Sequence, residues 1–127
     1  MIAEVFVALF AAHQVADHWI QTHHQATTKG QPGWAGRLAC ARHVLTYTLT
    51  AVLALLALRL PLELSWAIAG LLVSAVTHYW ADRRSPLKWL AELTGHGPFY
   101  ATPTGPYLLD QSWHYGWLFI SALIIAR

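Results

Sequence analysis

Three histidine–aspartate pairs in this chain are spaced by one helical turn. They are His13 and Asp17, His78 and Asp82, and, in reversed order, Asp110 and His114. Residues four apart on a helix share a face, so each pair projects in one direction. Imidazole with carboxylate is a ligand set for zinc, manganese or iron. The same residue types can relay protons or act as general bases. A fourth segment adds His43 and, one turn on, Tyr47. The candidate metal ligands are therefore His13, Asp17, His43, His78, Asp82, Asp110 and His114, with Gln21, Tyr47 and Gln111 as partners that orient them. Asp17, Asp82, Asp110 and His43 are the candidates for catalytic proton transfer. Seven ligands exceed the needs of one tetrahedral ion, so one or two divalent ions are expected, zinc foremost.

Any single pair has a plainer explanation. Asp110 could cap a helix starting beside it. Asp82 next to Arg83 and Arg84 could form an ion pair, and His43 beside Arg42 could sit at an interface. Recurrence across four segments is harder to assign to capping or pairing alone.

The elements that must hold these residues are unusually apolar. The chain has 127 residues, enough for one domain, and is 56% hydrophobic but only 11% charged. Soluble domains carry about 25% charged residues. A spanning helix needs about 20 mostly apolar residues. Four segments fit roughly, at 2–21, 42–60, 64–82 and 109–126. The expected fold is all-α: a four-span transmembrane helical bundle forming a single domain. A short amphipathic helix at 86–94 would lie in the interface, anchored by Trp89. Glu4 replaces the basic start of a secretory signal, so the first segment reads as a retained helix.

Lys29, Arg37, Arg42, Arg83, Arg84 and Lys88 fall in or beside the two long loops; Arg59 and Arg127 lie at the other ends. The positive-inside rule makes those loops cytoplasmic and both termini external, in the inner membrane. The reversed order of Asp110 and His114 then has a cause. The first and third spans run toward the cytoplasm and the fourth runs away from it. Aspartate therefore lies cytoplasmic of histidine in all three, giving two stacked tiers. At about 1.5 Å per residue the three histidines lie roughly 16–20 Å from the outer ends of their spans.

Composition also excludes classes. The net charge of +2 makes no nucleic-acid surface. Cys40 is the only cysteine, so neither an intramolecular disulfide nor a thiolate zinc site is available.

"AHQVADHWIQT", "RHVLTYTL", "THYWADR" and "DQSWHY" resemble, through nearly the whole chain, a family of small bacterial and phage membrane proteins of unknown function, DUF3307. Its pattern falls on His13, Asp17 and Gln21; His43 and Tyr47; His78 and Asp82; and Asp110, Gln111 and His114. Ala16 stands where the family usually has glycine. The resemblance implies a multi-span membrane protein and supplies no activity. More distantly, the pattern is similar to inner-membrane proteins described as metal-dependent hydrolases. Three functions stay open: a metal-dependent hydrolase acting on a lipid-like substrate at the cytoplasmic interface, a proton or divalent-metal transporter, and a non-catalytic phage or bacterial membrane protein. Membrane lipid is the expected partner, and a homodimer is compatible with so small a bundle.

Overall fold

The computed structural model describes residues 1–127 and is helical throughout, with no strand. Helix α1 (Ile2–Val15) continues into a π-helical turn, Ala16–Ile20. Then follow α2 (His23–Thr28), α3 (Gly33–Leu58), α4 (Leu64–Asp82), α5 (Ser85–Leu93), α6 (Gly97–Tyr100) and α7 (Gly105–Ile125). Local chemistry explains the boundaries. Thr22 and Gln25 form a reciprocal capping box at the start of α2. Glu63 caps α4 by accepting from the backbone N–H groups of Ser65 and Trp66. The Ser65 hydroxyl and those N–H groups hold its carboxyl below the usual range. Pro86, Pro98 and Pro106 stand in the first turns of α5, α6 and α7, where a missing N–H costs nothing.

The four long helices close a ring: α1 against α3, α3 against α4, α4 against α7, and α7 back against α1. Small residues line the seams, among them Ala8, Ala12, Ala51, Ser74 and Ala122. A Cβ on Gly70 would run into the Ile125 side chain and the Ser121 carbonyl, so glycine there lets α4 approach α7 closely. One half of the ring is filled by an apolar core that includes Val5, Leu9, Leu55, Leu118 and Ile125. The other half buries His13, His43, His78, Asp82 and His114. Large apolar side chains point outward instead: along α3, Leu45, Leu49, Leu53 and Leu56 are each more than half exposed.

Several expected boundaries are corrected. The second apolar segment begins at Gly33, not 42, and the fourth at Gly105, not 109. Glycine and arginine made the first turns of α3 look like loop. Gly36 is there because a Cβ would strike the Gln31 carbonyl. The first segment is regular only to Val15. Asp110 lies inside α7, so it is not a cap. A short helix does form where the amphipathic one was expected, at 85–93 rather than 86–94. Two helices, α3 and α4, are long and apolar enough to cross a membrane. As a regular α-helix α1 is only 14 residues long, and the first half of α7 carries Asp110, Gln111, Ser112 and His114.

Candidate metal centre

All seven candidate ligands converge in the polar half of the ring. Each helix supplies its share: α1 and its π turn bring His13 and Asp17, α3 brings His43, α4 brings His78 and Asp82, and α7 brings Asp110 and His114. Every histidine turns Nε2 toward the carboxylates. His43 Nε2 lies 3.0 Å from His78 Nε2, 3.3 Å from Asp17 Oδ1 and 3.3 Å from Asp82 Oδ2. His78 Nε2 lies 3.6 Å from that Asp17 oxygen and 3.2 Å from that Asp82 oxygen. On the flank, His13 Nε2 is 3.3 Å from Asp17 Oδ2, and His114 Nε2 is 3.4 Å from Asp110 Oδ1 and 3.8 Å from Asp82 Oδ1.

These spacings are close to those of donors around one ion. Two ligands bound about 2.0–2.1 Å from one zinc at a tetrahedral angle stand roughly 3.4 Å apart. The five separations that join His43 and His78 to each other and to Asp17 and Asp82 run from 3.0 to 3.6 Å. The atoms are also poorly served without an ion. His13 Nε2, Asp17 Oδ1, Asp82 Oδ2 and His114 Nε2 are buried and make no hydrogen bond. An unsatisfied buried polar atom costs about 1–3 kcal/mol. A cation at the focus of these lone pairs removes that penalty for several atoms at once. The residues present therefore fit a divalent ion.

One member of the cluster was not anticipated. Lys29, read from the sequence as a loop charge, is buried, with Nζ 2.7 Å from Asp82 Oδ1. No helical spacing links the two; tertiary staples do. Arg83 donates to the carbonyls of Lys29 (2.5 Å) and Gln31 (2.8 Å), and Arg84 donates to that of Ala26 (2.9 Å). These bonds fold the segment after α2 over the end of α4. Arg84 adopts φ 61° to do so, a conformation that L residues seldom take. With neutral imidazoles, three carboxylates and one ammonium leave two net negative charges in the cluster. One divalent ion balances that charge, and a second would need an accompanying anion.

The orienting residues divide. Tyr47 stacks on the His78 ring at 4.2 Å and shares a 2.5 Å hydrogen bond with Ser74. Gln111 donates to Asp110 (3.2 Å) and accepts from the Tyr115 hydroxyl (2.9 Å), and Gln14 donates to the same hydroxyl (2.9 Å). Gln21 reaches no ligand, and its buried Nε2 is without a partner. Ser74, Tyr115 and Gln14 were not singled out in the sequence, although Tyr115 follows His114 directly. The π turn was not foreseen either. Its wide bond, from Gln21 N–H to the Ala16 carbonyl, encloses Asp17, and such turns occur disproportionately at functional sites.

The cluster is not sealed. A cavity of about 580 Å³ reaches it from the side of α2, α5 and α6. Asp17, Asp82 and Asp110 form its floor, with Lys29, Arg84 and Tyr107 among its walls. Tyr100 also lines it, and partial burial raises its hydroxyl above the usual range, so it remains a phenol that can donate. Of the peripheral histidines, only His18 reaches this cavity, 3.5 Å from the Tyr107 hydroxyl.

A family model described as a protein of unknown function (DUF3307) matches residues 5–127. No curated protein and no solved structure matches the chain.

Proposed function

The chain belongs to the DUF3307 family, whose function is unknown, and from the geometry of its His/Asp cluster we propose that it is a membrane-embedded, divalent-metal-dependent hydrolase acting on a lipid-like substrate at the cytoplasmic interface. One observation carries the reading: a convergent His/Asp cluster with orphaned lone pairs lies at the floor of an open polar cavity. Structural metal sites are closed, whereas catalytic ones keep a position for water or substrate.

The membrane setting rests on the apolar outer surface of the ring. Leucines of α3 face outward, while the ionisable groups lie inside beside the apolar core. Small-residue seams are how helices associate in lipid, where no hydrophobic force draws them together. Helices α3 and α4 are apolar enough to span. We place α1 with its π turn, and α7, as the other two crossings, with their polar faces turned inward. The bundle is then a four-span domain in the inner membrane, both termini outside and α5 lying in the interface.

His43, His78, Asp17 and Asp82 would hold the ion, zinc before manganese or iron, with His13 and His114 beside them. When bound, the ion would lower the pKa of a water and polarise a carbonyl or phosphoryl oxygen. Asp110, whose side chain is 24% exposed against 8% or less for the other two aspartates, suits the general base. Water would add to the carbonyl carbon or phosphorus, and its proton would pass to Asp110. The ester or amide bond would break as that proton returns to the departing atom. Lys29 and Arg84 offset two of the three aspartates at the cavity, so a bound divalent ion would tip the balance toward an anionic headgroup.

The transport alternative has less support. A path outward would have to cross the apolar core around Leu9, Leu55 and Leu118. The test is to purify the chain in detergent, load it with zinc or manganese, and assay lipid esters, amides and phosphates. Metal-dependent turnover abolished by Asp110→Asn, with the ion retained, is expected. Turnover that persists in the chelated protein would refute the reading.

A further inference from the structure

A second cavity, of about 490 Å³, lies on the outside of the ring between α5 and α7. Its lining is mainly apolar, with Leu90 and Ala91 on one wall and Trp113, Trp117 and Ile120 on the other. Three features separate it from the general apolar surface. Leu87 lines both this groove and the polar cavity above the aspartates, so the two spaces meet at one buried side chain. Helix α7 also serves both: Asp110 and Gln111 face the polar cavity, while Leu109, Trp113 and Gly116 face the groove. Finally, Gly116 stands in the interior of α7, where glycine is disfavoured relative to alanine. A Cβ there would meet nothing within 4 Å. Helix packing therefore does not require this glycine, and its missing side chain keeps the groove deep.

The α7 wall of the groove is also held in place. Trp113 stacks on Trp80 at 4.5 Å, and its indole N–H donates to the Thr77 carbonyl at 3.2 Å. An apolar channel that abuts a polar chamber, in which Lys29, Arg84 and a divalent ion when bound would outweigh Asp17, Asp82 and Asp110, matches an amphiphile with an anionic head and a hydrocarbon tail. We propose that the α5–α7 groove holds one acyl chain of the substrate lipid while its headgroup occupies the neighbouring cavity over the metal centre. This assignment rests on the hydrolase reading for the word substrate, but the binding site can be tested without turnover. In lipid the chain gains shape-matched packing rather than a hydrophobic transfer, so the groove selects and positions a tail rather than extracting it from the membrane.

The full chain in nanodiscs is photolabelled with a phosphatidic acid that carries a diazirine on its acyl chain. The labelled peptides are mapped by mass spectrometry, and hydrolysis of long-chain and short-chain substrates is measured in parallel. Label is expected to concentrate on residues 90–96 and 113–120 over the outer face of α3 around Leu49 and Leu53. Gly116→Leu, which fills the groove from α7, should bring that enrichment to parity. It should raise KM for long-chain substrates and leave short-chain ones unchanged. Leu90→Trp narrows the groove from the opposite wall and should do the same. Retained zinc content checks that either variant is folded. Label spread evenly over the apolar faces would show bulk lipid only and overturn the proposal. So would crosslinked dimers joined through the groove, which would make it a seat for a second copy. Concentrated label lost in Gly116→Leu, without any hydrolysis, would uphold the chain site and reject the hydrolase reading.

Discussion

Lys29→Met separates the proposed metal centre from an ordinary buried ion pair. The ammonium sits 2.7 Å from Asp82 Oδ1, and both residues are almost fully enclosed. Removing one partner of a buried pair costs about 3–5 kcal/mol because the other charge is left unpaired. In the metal-free protein, methionine should therefore lower stability by up to that amount. A divalent ion changes the sign of the effect. Bound at the other Asp82 oxygen beside His43 and His78, it neutralises the carboxylate and no longer competes with a neighbouring cation. If most of the 3–5 kcal/mol is recovered on binding, the affinity of Lys29→Met for zinc should exceed that of the native chain by about a hundredfold or more, at 1.4 kcal/mol per decade. The assay uses protein stripped with chelator in detergent, titrated with zinc against a chelating dye. Thermal unfolding is followed in parallel by tryptophan fluorescence, with and without the ion. Expected are a lower melting point in the stripped variant, a larger upward shift on adding zinc, and tighter binding. Weaker zinc binding by Lys29→Met would refute the reasoning, since the lysine would then be supporting the site rather than competing with it.

Other outcomes follow from the same geometry. Asp82→Asn removes a donor shared by several contacts and should abolish stoichiometric zinc in elemental analysis. Gln111→Ala, which frees Asp110 and the Tyr115 hydroxyl, should keep zinc affinity in the dye titration but lower kcat, by less than the ~10²–10⁴-fold that loss of a general base costs. Thr22→Ala breaks the capping box of α2 and should cost about 1 kcal/mol locally, seen as faster amide exchange over residues 23–31. Gly70→Leu meets Ile125 and the Ser121 carbonyl and should force α4 from α7, destabilising the bundle by about 1–3 kcal/mol or more in thermal unfolding.

The centre was legible because helical spacing is a rule about faces. Once His13 and Asp17, His78 and Asp82, and Asp110 and His114 lie on helices, each pair must share a face. The reversed third pair then fixes the direction of α7. Tyr47 followed in the same way from His43. What escaped depends on tertiary closure. Lys29 stands in a stretch with Gly30 and Pro32 and has no periodic link to Asp82. It reaches the carboxylate only because Arg83 and Arg84 pin the intervening backbone. The early start of α3 was hidden because Gly33, Gly36 and Arg37 have loop composition, although Gly36 answers a close approach by the Gln31 carbonyl. The start of α7 did have a signal in Pro106, a residue suited to a first helical turn. The π turn has none, because one extra residue per turn leaves the local composition unchanged.

The most direct test of the account is X-ray absorption at the metal edge of the purified, metal-loaded chain. The expected spectrum shows a shell of nitrogen and oxygen only, at about 2.0–2.1 Å for zinc, with scattering from more than one imidazole. That imidazole signal should fall in His43→Ala and His78→Ala. A chain that takes up no divalent ion, or whose bound ion keeps an unchanged spectrum when both histidines are replaced, would contradict it.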